Sequence, residues 1–154
     1  MEEQEQRMED VKLQFFIWSD YVYEEKKKRD DSIRQLTFPF VYRTGQRKMT
    51  ASVYQALKKE EILFVQAPTG IGKTISTIFP TIKRMEEEQM DKLFYLTAKT
   101  ITRTAAEETF ERLREKGLCF HTVTLTAKEK ICPLEEVDCN PDTCPYAKGH
   151  YDRI

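Results

Sequence analysis

The stretch ILFVQAPTGIGKT, residues 62–74, decides the predicted fold. Its first four residues are a continuous apolar run, which is typical of a strand buried on both faces of a parallel sheet. The run leads into a turn with Gly70 and Gly72, and apolar residues at helical spacing follow from Lys73 onward. The order of buried strand, glycine turn and helix predicts backbone N–H groups that converge at a helix N-terminus.

Residues 67–74 have the composition of a phosphate-binding loop. Converging N–H groups and the helix dipole hold the negative charges of a nucleoside triphosphate. Gly70 and Gly72 allow close approach, Lys73 can reach the β- and γ-phosphates, and the hydroxyl of Thr74 can bind Mg²⁺. The general pattern is G-x-x-x-x-G-K-[ST], with Ala67 at the first glycine position. The predicted cofactor-binding residues are Ala67, Pro68, Thr69, Gly70, Ile71, Gly72, Lys73 and Thr74, and Lys73 and Thr74 are the catalytic candidates. A chance match in a glycine turn is the alternative, and the flanking strand and helix argue against it.

The flanking sequence extends this pattern into an α/β fold. Helices are predicted over the charged N-terminal residues, at about 48–59, from Lys73 onward and at about 100–116, where Gly117 ends the helix. Apolar runs at residues 93–96 and 120–125 predict two further strands. Strands that alternate with helices predict a parallel sheet with helical crossovers.

Composition restricts the class of protein. The 154 residues have room for one ordinary domain, and 40% hydrophobic with 33% charged residues is typical of a soluble globular chain. The net charge of -1 provides no global basic field, so any contact with nucleic acid has to come from a local arrangement. No apolar run approaches the ~18 residues of a membrane span, and the acidic start is unlike a secretory signal. We expect a cytoplasmic protein with no membrane partner.

The last quarter of the chain contains three cysteines, Cys132, Cys139 and Cys144. They lie in a proline-rich segment that reads as an irregular loop, and in a reduced compartment such thiols are metal ligands more often than disulfides. Iron–sulfur clusters and zinc sites both take thiolates from loops of this kind. Cys119, His121 or His150 could complete a zinc site, although the paired C-x-x-C spacing common in zinc sites is absent.

In combination, the motifs resemble the front end of XPD- and DinG-like iron–sulfur superfamily 2 DNA helicases of the bacterial type. The segments that carry the resemblance are residues 38–40 with Tyr42, Arg43 and Gln46, then 66–70, then 96–100 at the position of motif Ia, and 125–132 before the iron–sulfur domain. The resemblance covers about residues 32–154. Residues 1–31, outside the resemblance, are predicted from their spacing and mixed charges to be a charged N-terminal helix or linker. The resemblance implies a partial RecA-like ATP-binding lobe with a P-loop at 32–131 and the beginning of an incomplete iron–sulfur domain at 132–154.

The resemblance also implies roles for individual residues. Gln46 would lie near the adenine, where its amide can donate and accept, and Arg43 would help to frame that pocket. The residues that would touch the phosphates of single-stranded DNA are Thr97, Lys99, Thr100 and Arg103. A [4Fe–4S] cluster would bind Cys132, Cys139 and Cys144, with its fourth ligand beyond Ile154. The alternatives are an exposed helix start for Gln46 and solvated charges for Lys99 and Arg103.

The activity implied by the resemblance is that of an ATP-dependent DNA helicase. With ATP and Mg²⁺, the parent protein would move along single-stranded DNA and unwind duplexes in repair or replication, and we expect a monomer. The sequence contains no D-E-A-H box or second lobe, so we expect these residues alone to be inactive. Two other classes stay open: a P-loop ATPase with a zinc-binding or interaction module that is not a helicase, and a non-enzymatic metal-binding module. The intact loop argues against the second.

Overall fold

A computed structural model describes residues 2–87, 90–135 and 137–148. The chain divides into two compact units between Phe120 and His121. The described part of the first unit contains the helices α1 (Glu2–Gln35), α2 (Gln46–Lys58), α3 (Lys73–Glu87) and α4 (Thr100–Arg114), and that of the second contains α5 (Lys128–Ile131). The helices predicted in the first unit are therefore confirmed.

The predicted parallel sheet is wrong. Residues 62–65, 93–96 and 120–125 were expected to be its strands, but the described residues contain helices and no strand. The side chains show why, since Phe64 is 92% exposed, Leu96 88% and Val123 84%. A strand exists only through hydrogen bonds to a neighbour about 4.8 Å away, and a continuous apolar run does not supply that neighbour.

One face of these apolar segments is nevertheless in contact with the helices. Leu93 and Tyr95 pack on the core of the first unit, while Phe94 and Leu96 between them are exposed. Side chains that alternate with a period of two are typical of an extended backbone. The run of apolar residues thus indicated an extended backbone, but the predicted burial of both of its faces is wrong.

Helix α3 is at the centre of the first unit and packs against α1, α2 and α4. Its buried residues recur at helical spacing, and the helix runs through Pro80 without interruption. Ile78 and Ile82 of α3 meet Phe110 and Leu113 of α4 and Ile33 from the end of α1. This cluster is the hydrophobic core, and it fixes the helix whose first residue is Lys73.

Gly117 ends α4, as the sequence predicts. Its φ of 96° lies in the left-handed region that favours glycine. The N–H of Gly117 donates to the carbonyl of Arg114 at 2.9 Å, and the N–H of Leu118 donates to that of Leu113 at 3.0 Å. These two bonds form a Schellman motif, and Leu118 packs back into the core.

The C-terminal end of helix α1 is attached to α3. The ammonium of Lys83 donates to the carbonyls of Ile33 and, at 3.1 Å, of Arg34. The Arg34 guanidinium also bonds the Glu86 carboxylate at 2.7 Å. Further toward the N-terminus the apolar face predicted from sequence is exposed, with Trp18 at 60%. Among the helices described, none is long and apolar enough to cross a membrane.

Candidate nucleotide-binding site

The glycine loop joins residues 62–65 to the start of α3. Gly70 and Gly72 both have a φ of 84°, a conformation that side chains other than glycine strain to adopt. The carbonyl of Gly72 accepts from the N–H of Ser76 at 3.1 Å and from its hydroxyl at 2.8 Å, which closes the first turn of α3. The first turn contains no acidic residue. The first turn of α3 therefore supplies no carboxylate to neutralise the positive end of the helix dipole.

Lys73 and Thr74 lie at the mouth of the loop. Lys73 is exposed, and its ammonium donates to the carbonyls of Ala67 at 3.3 Å and Pro68 at 3.0 Å. The side chain therefore curls over the loop it belongs to. Thr74 is half-buried at the next position of α3. The structure brings together the cation and the hydroxyl that a triphosphate with Mg²⁺ requires.

The turn before α2, residues 43–46, lies against the glycine loop. A guanidinium N–H of Arg43 donates to the carbonyl of Gly70. A Cβ placed on Gly45 would lie 3.1 Å from Cδ1 of Ile71, and one placed on Gly72 would collide with Nε2 of Gln46. Sequence analysis placed Arg43 and Gln46 in the site but missed these contacts with the loop. The left-handed Gly45, with a φ of 80°, was the signal of a tight turn there.

Gln46 is buried below the loop, with 3% of its surface exposed. The side-chain oxygen of Gln46 accepts from the backbone N–H of Arg43 at 3.0 Å, and the backbone N–H of Gln46 donates to the backbone carbonyl of Arg43 at the same distance. Its carbonyl accepts from the hydroxyl of Thr50 at 3.0 Å. Gln46 is therefore the first residue of α2, anchored by both its backbone and its side chain.

A cavity of about 540 Å³ opens beside the start of α3. Lys73, Thr74 and Thr77 contribute to its wall, and the remaining wall is largely apolar. Those lining residues come from α2 and from the segments after it, and include Met49, Val53, Leu57, Leu63, Val65 and Tyr95. Sequence analysis did not predict this cavity, because its walls are far apart along the chain.

Helices α2 and α3 are joined by a polar cluster at their C-terminal ends. The hydroxyl of Tyr54 donates to the carboxylate of Glu87, which also accepts from Arg84 at 2.7 Å. These two bonds lower the pKa of Glu87, and the bond to Glu87 raises the pKa of Tyr54. The cluster holds α2 and α3 together at the end of the two helices opposite the glycine loop.

The model of DEAD/DEAH box helicases matches residues 45–137, more than half of the 154 residues. The chain belongs to the DEAD/DEAH box helicase family. The matched region begins at Gly45 beside the loop and includes α2, α3, α4 and the whole glycine loop. Family membership thus accounts for the elements that build the candidate site.

The chain is also similar to curated relatives named "ATP-dependent DNA helicase DinG". In Escherichia coli (strain K12), Shigella flexneri and Salmonella typhimurium (strain LT2), the relative is 46% identical over 52 residues. The matched stretch is 32% of this chain and spans only 7% of the relative's length. The predicted resemblance to DinG-like helicases is therefore confirmed. No solved structure matches this helicase-family chain.

The predicted DNA-contacting residues cluster at the N-terminus of α4. Lys99 caps the helix with an extended backbone, and its N–H donates to the hydroxyl of Thr97 at 3.3 Å. Thr97, Lys99 and Thr100 are exposed, and Arg103 is half-buried one turn further on, 3.7 Å from the Glu107 carboxylate. The four residues lie within seven consecutive positions at the start of α4.

The cysteines of the second unit do not converge. Cys132 is half-buried, Cys139 is exposed and Cys144 is buried, and each is a free thiol. Across the described residues, no three His, Cys, Asp or Glu side chains are placed to hold a metal ion. Cys119 belongs to the first unit and is exposed, and His150 lies outside the described residues. As placed, the cysteine trio does not fit a preformed metal site.

Proposed function

We propose that this chain is the ATP-binding portion of an ATP-dependent DNA helicase. The observation that carries the proposal is the glycine loop at the start of α3, where Lys73, Thr74 and two left-handed glycines meet a helix N-terminus free of acidic residues. In the intact protein, ATP with Mg²⁺ would bind here, and its hydrolysis would drive movement along single-stranded DNA and duplex unwinding.

We assign the remaining site residues within the same proposal. Gln46 and Arg43 flank the loop, so the adenine would lie on their side of it. Single-stranded DNA would contact the N-terminus of α4 through Thr97, Lys99, Thr100 and Arg103. Exposed hydroxyls, a cation and free helix N–H groups suit the phosphates of a nucleic acid, and they carry no information on base sequence.

We further propose that Cys132, Cys139 and Cys144 are iron–sulfur ligands that come together only when the metal binds. A metal site rarely exists in an unfolded segment, so metal binding and folding of that segment are coupled. Iron and sulfide analysis of the anaerobically purified intact protein tests this, and zinc without iron would refute it. The free thiols of Cys119, Cys132, Cys139 and Cys144 support a cytoplasmic location, because disulfides are rare in that reducing compartment.

The decisive experiment is Lys73→Ala in the intact protein. We expect the variant to lose ATP binding and hydrolysis, because the lysine is the charge that meets the β- and γ-phosphates. Its matched control is Lys59→Ala, an exposed charge just after α2, which should leave both unchanged. Tight ATP binding by Lys73→Ala would refute the site. Hydrolysis that is indifferent to single-stranded DNA would refute the helicase and favour a P-loop ATPase of another kind.

A further inference from the structure

The contact between Arg43 and the loop fixes the orientation of one peptide group. The Arg43 guanidinium donates to the carbonyl of Gly70. The described residues contain no cis peptide bond. In a trans peptide, the C=O of one residue and the N–H of the next point in opposite directions. Since Arg43 holds the carbonyl of Gly70 on one side, the N–H of Ile71 points to the other.

Gly70 has no side chain to restrain this orientation. Gly70 has a φ of 84°, and a Cβ built on it would meet no atom within 4 Å. Rotation of this peptide changes ψ of Gly70 together with φ of Ile71, and the missing Cβ of Gly70 leaves its ψ free to vary without a steric clash. A complete turnover would push the β-branched Ile71 toward a positive φ, so the freedom that Arg43 removes is a tilt of the peptide, which would aim the Ile71 N–H away from a phosphate.

We propose that Arg43 is a positioning residue that holds the Gly70–Ile71 peptide so that the Ile71 N–H donates to the β-phosphate of the nucleotide. The inference rests on the ATP-binding function proposed above. It assigns to Arg43 a part in phosphate recognition that is distinct from framing the adenine.

The test compares nucleotides that differ in phosphates or in base. Affinities of AMP, ADP, ATP and GTP are measured for the intact protein, for Arg43→Ala, and for Arg43→Lys, which keeps one donor for the Gly70 carbonyl. For Arg43→Ala we expect about a tenfold loss for ADP, ATP and GTP alike, equal to ~1.4 kcal/mol. AMP should lose less, because it has no β-phosphate. Arg43→Lys should recover part of the loss, and the exposed control Arg7→Ala should lose nothing.

Two outcomes would overturn the inference. An equal loss for AMP and ATP, with a changed ratio of ATP to GTP affinity, would mean that Arg43 reads the base. Unchanged affinity for every nucleotide in Arg43→Ala would mean that the loop keeps its orientation without the arginine. Thermal melting of each variant shows whether a loss reflects unfolding, and Arg43→Lys then carries the comparison. Failure of the unsubstituted protein to bind any nucleotide would instead refute the proposed function.

Discussion

Replacing Gly72 by alanine should destabilise the chain far more than the same change at Gly70. Both glycines have a φ of 84°, which costs alanine roughly 1–2 kcal/mol at either position. The surroundings differ. A Cβ on Gly70 meets open space, whereas a Cβ on Gly72 collides with the side-chain amide of Gln46. Overpacking of a filled site adds about 1–3 kcal/mol, so we expect roughly 2–5 kcal/mol for Gly72→Ala.

The collision is costly because Gln46 cannot move aside freely. It is buried, and its side-chain oxygen holds the backbone N–H of Arg43 at 3.0 Å. A rotation that makes room for the new methyl group would leave that N–H without its partner. The bond is partly buried, so its loss costs about 0.5–1.5 kcal/mol, which offsets part of the strain that the rotation relieves.

Hydrogen exchange of the intact protein measures this difference locally, at the amides of α2 and α3. We expect exchange in Gly72→Ala to accelerate by at least about tenfold over Gly70→Ala, which corresponds to ~1.4 kcal/mol. The background variant Gln46→Ala removes the obstacle. In that background, Gly72→Ala should cost no more than Gly70→Ala does in the unsubstituted protein. Equal costs for the two glycines, or a Gly72→Ala cost that Gln46→Ala leaves unchanged, would refute the packing argument.

Four further substitutions test the helices that support the loop. Leu113→Ala should lower the free energy of unfolding by about 2–5 kcal/mol in urea titrations, because Leu113 is completely buried. Ile101→Ala on the same helix, at 84% exposure, should change it by under about 0.5 kcal/mol. Gly117→Ala should cost about 1–2 kcal/mol through its φ of 96° alone, since no atom lies within 4 Å of the new Cβ; an unchanged melting temperature would contradict this. Tyr54→Phe should cost under about 1 kcal/mol near pH 7, and it should weaken the acid dependence of stability. The pKa of Glu87 is lowered by Tyr54, so the stabilisation is present above the ordinary pKa of a glutamate and is lost as the pH falls through the folded value; an identical acid titration in both proteins would contradict the bond.

The helices could be predicted from sequence because their signals are local. The apolar spacing of α3 and the glycine after α4 lie within the segments they shape, and both predictions are confirmed. The sheet prediction failed because a strand depends on a partner that the apolar run does not specify. Residues 93–96 show the difference between the two signals. The alternation of packed and exposed side chains follows from the local backbone, whereas burial of the exposed side chains would require a second layer of structure from elsewhere in the chain.

The composition of the glycine loop could be predicted from the sequence, but the contacts that hold the loop in place could not. Gly70, Gly72 and Lys73 follow from a motif of eight residues, with a spacing that chemistry dictates. The contact of Arg43 with Gly70 spans 27 positions of the chain, and nothing in either segment alone requires it. The left-handed Gly45 indicated a tight turn, yet only the fold shows that the turn faces the loop.

The contacts of helix α3 explain how the glycine loop keeps one conformation although its residues are small. Its first turn carries Lys73, and its last turns are fixed to two other helices, through Lys83 and Glu86 to the end of α1 and through Glu87 to α2. With the helix fixed at its far end and buried along its length, the position of its N-terminus is set before any phosphate arrives. The turn at residues 43–46 then needs to orient only the peptides of Gly70 and Gly72. Such preorganisation lowers the entropy cost of binding, and it follows that the contacts of α3 far from the loop contribute to nucleotide affinity.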